Sequence, residues 1–215
     1  MSGTVHPSGA QETLSLSPKA AGDLLALAIE TRFPSTPSFT AASVVGGGVS
    51  TWHKALSHLT ADGTHDEELW WGTVTTPGPS MLRVGFTPGA GSGTSDSASS
   101  LDVAEFRSTA LGSTVWSADV TGELDTAHPS TTPAYPALTA SKASELYFGY
   151  LVVPGAVRAG TTPGVEYRED ACGNQVASDT SVSGTITPTA SSPAQTSSSI
   201  GMLVSASPTI WWASG

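Results

Sequence analysis

The most continuous apolar run of the chain, Leu24 to Ile29, is the segment around which the predicted fold is organised. The run is too short for a stable helix. A Gly-Asp pair precedes it and Pro34 follows it, and these residues mark turns on both sides. A short apolar run between turn formers is typical of a strand that is covered on both faces. We therefore predict a central strand over residues 22–32.

Alternating polar and apolar positions predict further strands on both sides of this central one. A second strongly apolar strand is predicted over 144–154, and Gly149 inside it indicates a bulge or the close approach of a neighbour. The other predicted strands cover 12–17, 42–45, 49–59, 68–76, 80–87, 101–107, a short piece near 115–116, 162–169, 181–187 and 198–206. A short helix is the alternative for residues 49–59, and the strand is favoured. The pattern predicts about ten to twelve short strands and no convincing helix. The predicted fold class is therefore all-β, an antiparallel β-sandwich.

Glycine and proline mark the predicted turns between these strands. The triplet Gly46-Gly47-Gly48 predicts a sharp turn or bulge. Because Pro77-Gly78-Pro79 separates two predicted strands, residues 68–87 are expected to form an antiparallel hairpin. The polar stretch 60–67 is expected to be a loop, with a turn at Asp62-Gly63.

The chain of 215 residues shows no internal repeat and no change of composition that would divide it. We predict a single β-sandwich domain over 11–207, an N-terminal arm over 1–10 and a C-terminal tail over 208–215. Pro7 and Pro208 lie at the two junctions, and proline cannot donate to a strand ladder. The domain is therefore expected to fold without either end segment.

Charge and composition exclude several classes of partner. The net charge is −10, and the eight Lys and Arg residues are scattered, so no basic stripe is present to bind nucleic acid or an anionic membrane. No apolar run approaches the roughly 18 residues of a membrane span. The N-terminus lacks the features of a signal peptide, so we expect synthesis in a cytoplasm. A lone cysteine, Cys172, excludes an internal disulfide and is expected to be a reduced or partly buried thiol.

Candidate catalytic and metal-binding groups are weak in this sequence. His53, His58, His65 and Asp66 occur close together, but on a strand His53 and His58 would face opposite sides. The acidic stretch 66–68 lacks the spacing of a calcium loop, so a solvated acidic turn is favoured. We therefore predict no metal site and no cofactor.

Two glutamates, Glu105 and Glu145, are candidates for the carboxylate pair of a glycoside hydrolase. The sequence does not show that the two side chains meet. A single buried or edge glutamate with a hydrogen-bond partner is the favoured interpretation, because unpaired burial is costly. The sequence therefore predicts no catalytic residue and a protein that is not an enzyme.

Four tryptophans are the most informative candidate binding residues. Trp70 and Trp71 would point to opposite faces of a strand, which places one in the core and the other at the surface or an interface. An exposed indole can stack on a sugar ring, so this pair is a candidate ligand site. Trp211 and Trp212 lie in the tail and are candidates for docking onto a partner chain or onto their own domain.

The order of these segments resembles a family of jelly-roll-like β-sandwiches in minor tail and other virion proteins of siphophages of actinobacteria. The resemblance covers about residues 10–206 and is carried by AGDLLALAIE, VSTWHKALS, ELWWGTV, LRVGFT, LDVAEFRS, SELYFGYLV and SIGMLVSA. None of these motifs is a catalytic signature. The final PTIWWASG departs from the usual end of the family.

The resemblance implies a virion structural protein, most simply a minor tail protein that acts in assembly and in contact with the host surface. A capsid decoration protein and a carbohydrate-binding module are the alternatives. The expected partners are other virion proteins of the tail or capsid, further copies of the chain as a homo-oligomer, and a host cell-wall glycan. Neither nucleic acid binding nor membrane insertion is expected.

Overall fold

A computed structural model describes residues 2–5, 11–32, 39–88, 98–108, 114–170 and 172–208. These ranges contain fifteen β-strands and no helix. The strands are β1 Ser2–Val5, β2 Gln11–Leu16, β3 Leu24–Arg32, β4 Phe39–Gly46, β5 Val49–Leu59, β6 His65–Val74, β7 Ser80–Pro88, β8 Ala98–Phe106, β9 Thr114–Asp125, β10 Leu138–Thr139, β11 Glu145–Val152, β12 Glu166–Glu169, β13 Gln175–Val182, β14 Thr185–Ile186 and β15 Ser198–Pro208. Short strands therefore account for all the regular structure of the described residues.

Two antiparallel sheets pack against each other, which confirms the predicted all-β, sandwich-like class. The larger sheet has eight strands in the order β1-β8-β3-β6-β5-β4-β7-β2 and is nearly closed into a barrel. The smaller sheet has five strands in the order β12-β13-β11-β15-β9. A two-stranded ribbon of β10 and β14 is separate from both sheets.

The central strand β3 is buried on both faces, as its uninterrupted apolar sequence predicts. Leu25, Leu27 and Ile29 point into the barrel-like sheet. Leu24 and the alanines of the strand point outward, against the five-stranded sheet. Because its two faces belong to different apolar clusters, β3 connects the two cores of the molecule. Each fully buried leucine or isoleucine of the strand contributes about 1.5–3 kcal/mol to stability.

A third apolar layer covers the outer face of the five-stranded sheet, and it contains the buried residues Tyr135, Tyr147 and Leu203. Gly149 of β11 lies under this layer, and a Cβ atom at this position would meet the rings of Tyr135 and Tyr147 at 2.8 Å. The close approach predicted for this glycine is therefore confirmed, because two tyrosine rings fill the space that a side chain would need.

Two turn predictions had different outcomes. Gly46, Gly47 and Gly48 all have positive φ angles of 69–81° and form the sharp turn between β4 and β5. The predicted hairpin over 68–87 is wrong, because β6 pairs with β3 and β5 while β7 pairs with β4 and β2. After Val74 the chain leaves the sheet, and the backbone N–H groups of Thr75 and Thr76 bind the Gly48 carbonyl instead.

The two edge strands of the eight-stranded sheet, β1 and β2, face each other across an incompletely closed seam. The first half of β8, Ser99 to Asp102, pairs with β1, whose residues belong to the predicted N-terminal arm. On the inside of the seam the Ser99 hydroxyl donates a hydrogen bond to Glu12 of β2. A side-chain contact therefore bridges the seam where no ladder does.

Candidate functional site

The acidic stretch 66–68 lies within β6 and is buried, so the predicted solvated turn is wrong. Asp66, Glu67 and Glu68 are 2%, 0% and 1% exposed. β6 begins earlier than the sequence suggested because its polar start pairs in register with the equally polar end of β3, residues 30–32. Alternation along the strand then directs Asp66 and Glu68 into the barrel and Glu67 into the space between the sheets.

Glu68 is compensated inside the barrel by donors on three sides. Its Oε2 accepts hydrogen bonds from the indole Nε1 of Trp70 at 2.7 Å and lies 2.9 Å from Lys54 Nζ. Its Oε1 accepts the backbone N–H of Ala41 at 2.8 Å. Lys54 Nζ also lies 4.9 Å from the centre of the Trp70 ring. A buried carboxylate with a cation and two further donors retains much of the stabilisation that water provided.

Two further carboxyl groups inside the barrel are less well compensated. Burial, followed by the charge of Glu68, raises the pKa of Asp66 to about 7, and the Ser57 hydroxyl opposes this shift. Burial likewise raises the pKa of Glu12 to about 7, against the hydrogen bond from Ser99. One oxygen of each group, Asp66 Oδ2 and Glu12 Oε2, forms no hydrogen bond within the described residues. Both groups are therefore partly protonated at neutral pH.

Glu67 occupies the space between the two sheets and has no exposed surface. Neither of its carboxyl oxygens forms a hydrogen bond within the described residues, and the nearby Ser198 hydroxyl is also unpaired there. Burial raises the pKa of Glu67 well above its usual value, Ser198 opposes the shift, and the carboxyl groups of Glu30 and Asp125 raise it further. Burial therefore favours the neutral form of Glu67.

A chain of hydrogen bonds beside Glu67 joins the two sheets. Asn174 Nδ2 donates to Glu30 Oε2 at 2.6 Å and to the Tyr150 hydroxyl at 2.9 Å. The Tyr150 hydroxyl donates to Asp170 Oδ2 at 2.7 Å, and the Ser100 hydroxyl donates to the same oxygen at 2.8 Å. Glu30 and Ser100 belong to the barrel-like sheet, whereas Tyr150 belongs to the smaller one. The network therefore holds the polar end of the sandwich together.

The histidines lie on one face rather than two. A bulge in β5 between Lys54 and Leu56 adds a residue to the strand, so His53 and His58 point the same way and the predicted opposition is wrong. His53 stacks on Trp71 with ring centres 4.5 Å apart. His58 lies 3.1 Å from Asp125 and 3.2 Å from Glu123. Within the described ranges, no group of three or more His, Cys, Asp or Glu is arranged to hold a metal ion.

The structure places the two tryptophans of β6 on opposite faces, as predicted. Trp70 points into the barrel core and is 8% exposed, so it offers no open ring face to a ligand. Trp71 is half-buried at the edge of the core between the sheets. Trp211 and Trp212 lie outside the described residues, so their docking stays a prediction.

Glu105 and Glu145 lie on different sheets and have different neighbours. Glu105 of β8 accepts the backbone N–H of Lys19 at 2.6 Å. Glu145 of β11 is buried, and burial followed by the charge of Asp119 raises its pKa. The structure therefore does not bring these two carboxyl groups together as a pair.

A cleft of about 380 Å³ opens at the seam of the barrel-like sheet, and we call it the seam cleft. Its apolar walls include Leu16, Leu25 and Phe106. The ends of β12 and β13 from the other sheet close it on one side, with Arg168 and Ser178. Both sheets therefore contribute to the cleft, and both signs of charge line it.

A second cavity of about 340 Å³ lies at the polar end of the sandwich, and its lining includes Asp62, His65, Asp125 and Ser198. Hydrogen bonds from Thr60 and Thr64 outweigh burial and lower the pKa of Asp62 to about 2. Burial and the charge of Arg32 lower the pKa of His65. The cavity therefore carries ionised carboxylates beside a neutral histidine.

Several residues of these sites were missed by the sequence analysis, although a signal was present. Glu12 alternates in step with Leu14 and Leu16, and Asp102, whose buried carboxylate contacts Arg168 of the seam cleft, alternates in step with Phe106. A carboxyl group at an inward-facing position of an alternating strand predicts a buried acid. The Cys172 side chain is exposed, so the partly buried alternative expected for this thiol is wrong.

Comparison of the chain with protein-family models, with curated proteins and with solved structures found no match. Among the described residues, no helix is long and apolar enough to cross a membrane.

Proposed function

We propose that this protein is a structural component of a virion, a minor tail protein that acts in assembly and in contact with the host surface. The observation that carries the proposal is the outer face of the barrel-like sheet. The five-stranded sheet packs on β3, β6 and β8, whereas β4 and β7 expose Val45 and Met81, which are 52% and 44% exposed. Apolar side chains that neighbour each other on an uncovered sheet face favour a contact with another protein.

The interior supports a structural role in a second way. The buried carboxyl groups of Glu68, Glu30 and Asp170 are engaged by Lys54, by Asn174 and by Tyr150 respectively. These groups hold strands and sheets together, so they are not free to react. A scaffold with three apolar layers and few surface charges suits a repeated building block better than a mobile enzyme.

The proposal is tested on purified virions by mass spectrometry and by electron microscopy with a gold label on this chain. We expect the label at the tail. A label on the capsid would support the capsid decoration protein instead, and absence of the chain from the particle would contradict both.

The uncovered face is tested by the double variant Val45→Ser/Met81→Ser. We expect the variant to fold and to lose most of its incorporation into the particle. Val115→Ser is a matched control, because Val115 of β9 is 54% exposed on the other sheet. Equal incorporation of all three proteins would show that this face is not the contact.

The carbohydrate-binding alternative depends on one ring, because Trp71 is partly exposed to solvent whereas Trp70 is buried. Its stack with His53 provides a paired aromatic platform on β5 and β6. Binding of the protein to isolated cell-wall polysaccharide, with Trp71→Ala and His53→Ala compared, tests this alternative. Unchanged binding in both variants would exclude the platform.

A further inference from the structure

We propose that the seam cleft binds residues 209–215 of a second copy of this chain. The segment reads TIWWASG, follows directly after the end of β15 and lies outside the described residues. It contains Ile210, Trp211 and Trp212 and has no charged side chain. This inference names the receptor for the tail, and it does not depend on where in a particle the protein resides.

The cleft matches such a segment in polarity. Leu16, Leu25 and Phe106 provide apolar surface, and about 380 Å³ is available between them. The charged residues that line it are two of each sign, Lys19 and Arg168 against Glu105 and Glu166. A lining without excess charge favours an uncharged, aromatic occupant over an acidic or basic one.

The edge of β8 provides backbone partners beside the cleft. Residues 99–102 pair with β1 on one side and with β3 on the other. Ala104, Glu105 and Phe106 pair with β3, and no strand among the described residues pairs with them on the opposite side. An extended segment can add to such an edge through main-chain hydrogen bonds while its side chains enter the neighbouring cleft.

The two tryptophans of the same chain's tail fall short of the far wall of the cleft. Ser178, which lines that wall, and Met202 both pair with Phe148, so they lie at the same level along the strands. Pro208 lies six residues beyond Met202 on β15, a distance of about 20 Å along the strand. From Pro208, Trp212 extends its backbone by at most about 14 Å. A second copy has no such restriction.

A contact between the tail of one copy and the cleft of the next joins two different surfaces. Such heterologous contacts build rings where the rotation closes and filaments where it does not. The proposed contact therefore predicts a head-to-tail assembly.

The decisive experiment mixes two full-length variants that are each defective on one side. Trp211→Ser/Trp212→Ser removes the tail anchor and leaves the cleft intact. Ser17→Trp fills the cleft from an exposed position and leaves the tail intact. We expect sedimentation velocity to show wild-type self-association, two monomeric variants, and a one-to-one complex when the variants are mixed.

A labelled peptide of residues 208–215 provides an independent measurement by fluorescence anisotropy. We expect it to bind the Trp211→Ser/Trp212→Ser protein. In that background, Ser17→Trp or Ser178→Trp should weaken binding at least tenfold, whereas Thr51→Trp, an exposed control on β5, should not change it. Circular dichroism shows whether each variant is folded, and the two cleft variants fill the cleft from opposite walls.

Three results would overturn the inference. The first is a wild-type chain that stays monomeric and does not bind the peptide, although the Trp211→Ser/Trp212→Ser protein binds it. The tail would then occupy the cleft of its own chain. The second is peptide binding that neither cleft variant weakens. The third is a mixture of the two variants that forms no complex. None of these results concerns the location of the protein in virions, so the two proposals can fail separately.

Discussion

Glu67 and Glu68 are neighbours in β6, yet they are buried in two regions that handle a carboxyl group in opposite ways. Inside the barrel, Glu68 meets Lys54, an indole N–H and a backbone N–H. Between the sheets, neither Glu67 oxygen forms a hydrogen bond among the described residues, and burial raises the pKa of Glu67 with only the nearby Ser198 hydroxyl opposing the shift. The difference shows that the donors within reach, and not the residue type, decide whether a buried acid is paired with a cation or kept neutral, since Asp66 inside the barrel also lacks a partner for one oxygen.

The barrel interior can keep a charge because one of its cations reaches in from the surface. The Lys54 side chain is 33% exposed, so its ammonium group retains part of its hydration while it contacts Glu68. Between the sheets, hydrogen bonds among neutral and acidic groups fill the same role, with Tyr150 and Asn174 at their centre. The Glu68 site is therefore sensitive to loss of a charge, whereas Glu67 between the sheets and Asp66 inside the barrel are sensitive to pH.

The largest effect is expected from Lys54→Met, which leaves Glu68 buried without its cation. Breaking one partner of a buried pair costs about 4 kcal/mol of unfolding free energy. Urea denaturation measures this loss. The double variant Lys54→Met/Glu68→Gln should recover most of it, and a single variant as stable as the wild type would show that the two donors from Trp70 and Ala41 suffice.

A smaller effect, about 3 kcal/mol, is expected from the titration of Asp66 in the barrel. The folded pKa of about 7 lies above the usual 3.8, so between these values the unfolded chain has released the proton that the folded chain keeps. Stability therefore falls as pH rises through this window and the loss is complete above pH 7. Between pH 4 and pH 8, wild-type protein should lose about 3 kcal/mol more than Asp66→Asn in parallel urea titrations. Parallel stability profiles would contradict the raised pKa.

Tyr150→Phe probes the network between the sheets and should cost about 1.5 kcal/mol. The variant removes the hydroxyl that donates to Asp170 and accepts from Asn174, and all three groups are buried. Tyr167→Phe is the control, because the buried Tyr167 hydroxyl has no partner within the described residues. Equal melting temperatures for the two variants would mean that the network contributes nothing to the contact between the sheets.

The smallest effect is expected from Glu67→Gln at pH 4, within about 0.5 kcal/mol of the wild type, because a neutral acid is replaced by a neutral amide of similar shape. As the pH rises above 4.5, the wild type should lose up to about 1.4 kcal/mol per pH unit relative to the variant, because the unfolded chain releases the Glu67 proton that the folded chain keeps. Urea titrations at pH 4 and pH 6 measure both quantities. A large loss in the variant at pH 4 would indicate that Glu67 is ionised and paired.

The hydrophobic pattern was a good guide to single strands and a poor guide to their partners. Leu24 to Ile29 reads as a strand covered on both faces because apolar side chains there occupy both parities. The hairpin of residues 68–87 was wrong because turn residues show that the chain bends but not which edge it then meets. The two histidines of β5 were placed on opposite faces because a bulge depends on the ladder and leaves no local signal.

The sequence by itself determined the all-β class, the doubly buried central strand, the glycine turn after β4 and the opposite faces of Trp70 and Trp71. Each of these follows from local periodicity or from backbone freedom, which a chain carries wherever it folds. Only the tertiary structure decided that residues 66–68 are buried, that Lys54 reaches Glu68, and that the seam beside β8 opens into a cleft. Burial and pairing of polar groups depend on strands distant in the chain, so one strand's pattern shows which side chains share a face but not what covers that face.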